Sequence, residues 1–155
     1  MGWLLKGDAV GVFVSEIRPR WSDMDAFGHI NHASTVTLLE EARVDLLFHE
    51  ASLHGANDMA AGVVIAKLSV NYHEPLFATG GSVRIELSVR EIRGASFILD
   101  YVVRSGPKET DSVAVTASTT LAPFDLVNGK PRRITDAERD FLAAWHNGGN
   151  GVPNV

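Results

Sequence analysis

The 155-residue chain contains no cysteine. That excludes a disulfide scaffold, a thiolate-bound zinc and a thiol nucleophile, and it suits a reducing compartment. No apolar run approaches membrane-spanning length, and the opening MGWLLKGDAVG holds too short an apolar stretch for a signal peptide. The expected address is the cytoplasm, with no membrane partner. A basic run is missing too: 14 Lys and Arg against 19 Asp and Glu leave a formal net charge of −5. Nucleic acid is therefore disfavoured as a partner, because phosphate contacts need clustered cations. Repeats, linkers and composition breaks are also lacking, so residues 1–155 read as one domain, long enough for a sizeable core.

What is present reads as a strand, a long helix, four more strands and a tail. VGVFVSEIRPRWS is β-branched and ends at a Ser-Asp turn. From Ala33 to about Glu50, Leu38, Leu39, Ala42, Leu46 and Leu47 recur at three- and four-residue spacing, the stripe of one amphipathic helix. GVVIAKLSVNY is a second strand, stopped at Pro75, which cannot donate to a ladder. SVRIELSVREI alternates: Val83, Ile85, Leu87 and Val89 face one way, and Arg84, Glu86, Ser88 and Arg90 the other. A hairpin at Arg93-Gly94 leads to ASFILDYVVRS, where Phe97, Leu99, Tyr101 and Val103 alternate again. SVAVTASTTLAPF is the last strand, and Thr135 caps a short helix from Asp136 to about Trp145. Residues 147–155 have little to bury and are expected to fray. One helix on about five antiparallel strands is an α+β arrangement. The arginine-bearing strand faces and the sheet edges are left to solvent or to a partner chain. One helix cannot cover such a sheet, so a homodimer, or a homotetramer built from it, is expected.

The densest chemistry lies in RWSDMDAFGHINHASTVTLLEEAR, residues 20–43. Asp23 reads as a turn or capping carboxylate, and Asp25 reads as either the same or a catalytic acid. Gly28 permits a backbone turn and close approach of a ligand. His29 either orients the loop or touches substrate, and Asn31 is an N-cap or loop brace. His29 and His32 are three apart, but no third ligand lies at a suitable spacing, so no metal is expected. Glu40 sits inside the helix as a support or second carboxylate, with Arg43 as a possible ion partner at i+3.

This stretch resembles the signature of hotdog-fold thioesterases of the 4-hydroxybenzoyl-CoA type, an Asp-x-Asp-x-x-Gly-His-apolar-Asn-Asn segment followed by Glu-Ala-Arg in the helix. The likeness extends over Gly11 to Phe141 and takes in YHEPLF and GKPRRI. It implies a hotdog fold, with the long helix wrapped by a five-stranded antiparallel sheet. It also implies hydrolysis of acyl-CoA or acyl-carrier-protein thioesters without a cofactor. The catalytic carboxylate maps onto Asp25, and the backbone N–H that polarises the carbonyl maps onto His32. A helix N-terminus suits that task, since its free N–H groups and dipole favour a developing oxyanion. Two positions depart from the pattern. His32 replaces the second asparagine, and Thr35 replaces an aromatic that lines the acyl pocket, which implies a different or roomier pocket. Ser69 and Tyr72 on the second strand, with Ser96 and Phe97 on the fourth, are wall candidates; core packing is the plainer reading, above all for Phe97. Lys67, Arg90, Arg93 and Arg104 are candidates for the CoA phosphates by charge.

Three other readings compete with this one. A hotdog dehydratase would carry a Gly-Asp-x-Asn-Pro-apolar-His stretch, which this sequence lacks. A non-catalytic acyl-thioester binder does not require Asp25 beside a helix start. A purely structural assembly partner leaves the polar cluster without a purpose.

Overall fold

The computed structural model describes residues 11–146; the tail expected to fray lies outside them. Strand β1 (Phe13–Ile17) leads through a tight turn at Trp21–Asp23 into helix α1 (His32–Val44). That helix continues through a wider π-turn (Asp45–Glu50) and a last turn, α2 (Ala51–Leu53). Strands β2 (Val63–Tyr72), β3 (Val83–Ile92), β4 (Phe97–Arg104) and β5 (Val113–Asp125) follow, then the short β6 (Lys130–Pro131) and helix α3 (Asp136–Ala144). The sheet runs β1-β3-β4-β5-β2 with antiparallel neighbours, and β6 adds a sixth strand, beyond the expected five, beside the end of β5.

The helix starts where the sequence signals it. The Asn31 carboxamide oxygen accepts the Ala33 N–H at 2.8 Å, closing one of the donors that a helix start leaves open. The expectation of one regular helix to Glu50 needs correction, because the turn widens from Asp45 onwards. One extra residue per π-turn re-phases the stripe. Leu46, Leu47 and Ala51 all stay within 1% exposure as a result. The widening begins at Asp45, whose carboxylate accepts the Ser15 hydroxyl from β1.

The alternation in the central strands is realised in full. Val83, Ile85, Leu87 and Val89 of β3 and Phe97, Leu99, Tyr101 and Val103 of β4 are all buried. The register sets Ile85 opposite Val103, Leu87 opposite Tyr101 and Val89 opposite Leu99. Each such side chain contributes about 1.5–3 kcal/mol on burial. The opposite face departs from expectation. Its arginines do not stand free, because Arg84 and Arg104 both pair with Glu86, and Arg90 forks onto buried Asp100.

Strand β2 is different. It is a terminal strand with β5 as its partner in the sheet. Helix α1 packs against β1 and β3, on the far side of the sheet order. Ile65, Leu68 and Tyr72 lie opposite the buried Leu121, Thr119 and Val115 of β5, yet they stay 41–49% exposed. Val63 and Val70 pack partly against the core and Ile65 borders the helix across a small pocket, so the apolar face of β2 is only partly covered within the described residues.

Candidate active site

The loop ahead of α1 is a small closed structure. The N–H of Asp25 donates to the His29 carbonyl at 2.8 Å, and the N–H of Gly28 donates back to the Asp25 carbonyl at 3.1 Å. Gly28 takes φ +77°, the left-handed region that favours glycine, with nothing within 4 Å of where a Cβ would stand. Its role here is conformational. The Asp25 oxygen Oδ1 accepts the N–H groups of Phe27 at 2.9 Å and His29 at 3.3 Å. Its other oxygen, Oδ2, accepts none from the described residues.

Asp23 is occupied elsewhere. It is buried, and its carboxylate accepts the Arg20 N–H at 2.7 Å and pairs with the Arg20 guanidinium at 3.2 Å. Burial opposes its charge, but the Arg20 hydrogen bonds and charge outweigh burial and hold it below the usual carboxylate range. Asp23 is thus the capping carboxylate, and its carbonyl accepts the Asn31 N–H at 2.8 Å. The Ile30 N–H donates to the Leu76 carbonyl at 2.7 Å, which joins the loop to the segment leaving β2.

These bonds shape an open pocket of about 310 Å³. Asp25, His29, His32, Thr35 and Tyr72 line it, all of them sequence candidates. The His32 N–H, at the first position of α1, has no acceptor among the described residues. The Thr35 hydroxyl donates to the Asn31 carbonyl at 3.3 Å, and Thr35 is almost fully buried, a packed piece of wall. The Tyr72 hydroxyl donates to the His32 carbonyl at 2.8 Å.

Other candidates lie apart from this pocket. Glu40 and Arg43 line a separate pocket of about 140 Å³ with Val44, Leu47, Phe48 and Ile65. The i+3 ion pair does not form; the Arg43 guanidinium donates to the Tyr101 hydroxyl at 3.4 Å instead. Ser69 is exposed midway along β2. Ser96 closes the β3–β4 hairpin, its carbonyl accepting the Arg93 N–H, at the end of β4 away from the pocket. Phe97 is a core residue. Arg90, Arg93 and Arg104 are each engaged by a carboxylate, while Lys67 is exposed and meets none among the described residues.

The sequence reading missed Ile30, His73, Glu74, Pro75, Leu76 and Val115, which complete the pocket. In the sequence, YHEPLF reads as the end of a strand and as part of the family likeness, not as a pocket wall. Its proline marked a turn directly after an edge strand, a place where polar side chains can project into a site. The backbone N–H groups of His73 and Glu74 both donate to the Ala114 carbonyl, so their placement depends on the β2–β5 register.

A long helix against a curled antiparallel sheet, with a carboxylate and a free N–H at the helix start, is the layout of a hotdog-fold thioester hydrolase. The family model described as the thioesterase-like superfamily matches residues 19–145, and the chain belongs to that superfamily. It is 27% identical over 128 residues to the long-chain acyl-CoA thioesterase FadM of Escherichia coli K12, covering 83% of this chain and 95% of that protein. It is 26% identical over 132 residues to the 1,4-dihydroxy-2-naphthoyl-CoA hydrolase of Gloeothece citriformis, covering 80% and 87%. Among solved structures, a predicted thioesterase from Bacillus stearothermophilus shares the fold with a TM-score of 0.71 at 22% identity, over 88% of this chain and 99% of that one.

Proposed function

We propose that this protein is an acyl-CoA thioesterase in which Asp25 is the catalytic base and the His32 N–H binds the carbonyl oxygen. The observation that carries this reading is their meeting in one pocket: a carboxylate with one uncommitted oxygen, beside the open end of a helix. The thioester carbonyl is polarised by the His32 N–H and the helix dipole. Water attacks the carbonyl carbon and gives its proton to Asp25 Oδ2. The tetrahedral intermediate collapses with cleavage of the C–S bond, and the thiolate leaves, taking up the proton. The products are a carboxylic acid and CoA thiol. A base contributes about 10²–10⁴-fold, and an oxyanion donor about 10²–10³-fold. No metal or redox group is needed for these steps.

CoA rather than a carrier protein is favoured as the thiol because the two curated relatives are named for CoA thioesters. Of the four candidate cations for the CoA phosphates, Lys67 is the one that no carboxylate among the described residues engages. The terminal position of β2 and its half-exposed Ile65, Leu68 and Tyr72 support a homodimer with the two sheets continuous or face to face, strand residues of one protomer lying beside the Asp25 loop of the other. No helix among the described residues is long and apolar enough to cross a membrane, and a cytoplasmic setting matches CoA chemistry. The test is a panel of short, medium, long-chain and aromatic acyl-CoAs, with a thiol-reactive dye reporting release. Thiol release from at least one class is expected. Tight binding without release would leave a binder.

A further inference from the structure

We infer that Tyr72 is a positioning residue of this site: its hydroxyl, reaching from the end of β2 to the His32 carbonyl, fixes the first turn of α1 so that the His32 N–H is aimed at the thioester oxygen. The inference rests on the thioesterase reading above.

The bonds around the helix start show what Tyr72 adds. Asn31 serves the turn locally, its side chain accepting the Ala33 N–H and its carbonyl the Thr35 N–H. The ties from Asn31 to Asp23 and from Ile30 to Leu76 anchor residues that precede the helix. The Asn31 carbonyl, held by the Thr35 N–H and hydroxyl, shares its peptide plane with the His32 N–H, but neither of the two loop ties reaches the plane of the His32 carbonyl on the other side of its Cα. The Tyr72 hydroxyl does, at 2.8 Å, across 40 positions of sequence. The N–H and C=O of His32 sit on the two peptide planes that flank one Cα, joined by only two soft dihedrals. Fixing the direction of the carbonyl therefore restricts where the N–H can point. A donor that must meet an oxyanion within a few tenths of an ångström gains directly from that restriction.

Two further features separate this role from plainer ones. The hydroxyl has a single hydrogen and gives it to His32, so Tyr72 is not itself the donor to the substrate oxygen. Its ring is 49% exposed at a sheet edge, so it adds little to the core. A tyrosine hydroxyl keeps its proton through the neutral range in any case, and partial burial of Tyr72 pushes it further the same way.

The test compares wild type and Tyr72→Phe with two non-hydrolysable CoA ligands of equal chain length. One has a methylene ketone in place of the thioester; the other is a thioether without a carbonyl. The ratio of their affinities reports grip on the carbonyl oxygen, and it does not depend on the fraction of protein that is folded. Wild type should favour the ketone. In Tyr72→Phe that preference should shrink by about three- to tenfold, the worth of one hydrogen bond. Thioether affinity should not change, and kcat should fall by a similar factor at nearly constant KM. An unchanged preference in Tyr72→Phe would overturn the inference. Equal weakening of both ligands would overturn it as well, by showing that Tyr72 grips the acyl or CoA part. If wild type neither cleaves acyl-CoA nor favours the ketone, the thioesterase reading fails first and this inference falls with it.

Discussion

Asp23 and Asp25 stand two positions apart, one buried against Arg20 and the other open to the pocket. The contrast makes Asp23 a stability residue. Its folded pKa lies below the ordinary value, so its contribution is full above about 3.9 and is lost as pH falls through the depressed folded value. Asp23→Asn should cost about 1 kcal/mol at neutral pH and flatten the acid limb of a urea-unfolding series, leaving turnover per folded molecule largely intact. Thr35 is the second residue to probe. Thr35→Tyr adds a ring to a packed wall, at about 1–3 kcal/mol of stability, and should narrow acyl selectivity more than it slows the smallest good substrate. Unchanged relative rates over a chain-length series would remove Thr35 from the acyl site. The loop side of the pocket, unlike the wall after β2, was legible in the sequence, because a stretch rich in Asp, Gly, His and Asn before an apolar stripe is a local signal. Glu40 was not separable from it on paper. At 100° per residue, the five steps from Thr35 to Glu40 turn it about 140° around the helix, towards the second pocket.

Strands β1 to β5 and α3 were legible for a related reason: alternation and an N-cap threonine are encoded within a few residues. The π-turn was not, since it answers to the packing of Leu46, Leu47 and Ala51 and to the hydroxyl of Ser15 on β1. Nor was the neutralised outer face, where Asp100 meets Arg90 across the β3–β4 register and Glu86 meets Arg104. In α3 the capping carboxylate does more than cap. Glu138 is fully buried, accepts the Thr135 N–H at 2.9 Å and takes both ends of the Arg132 guanidinium, at 2.7 and 2.9 Å. Burial opposes its charge, yet Arg132 and Thr135 together hold it below the usual carboxylate range. Its contribution is therefore complete above about 4.3 and fades as pH falls through the lower folded value. Glu138→Gln should cost about 3 kcal/mol, the low end for breaking a buried pair, since Arg132 keeps some solvent. A denaturant midpoint within error of wild type would show that the pair adds nothing.

For the whole molecule, Ile65, Leu68 and Tyr72 of β2 and the exposed Val44 and Phe48 would be covered by a second protomer in the proposed dimer. Light scattering at micromolar concentration should give at least a dimer, and a fully active monomer would contradict the assembly. Within that assembly the central claim is that Asp25 supplies the base for thioester hydrolysis. Its most direct test is steady-state acyl-CoA hydrolysis by Asp25→Asn, Asp23→Asn and Glu40→Gln, each shown by circular dichroism to be folded. Asp25→Asn should lower kcat by at least about 100-fold with KM little changed, while the other two keep most of the turnover. Near-wild-type turnover in Asp25→Asn, with activity abolished in Glu40→Gln, would contradict that claim and move the catalytic carboxylate onto the helix.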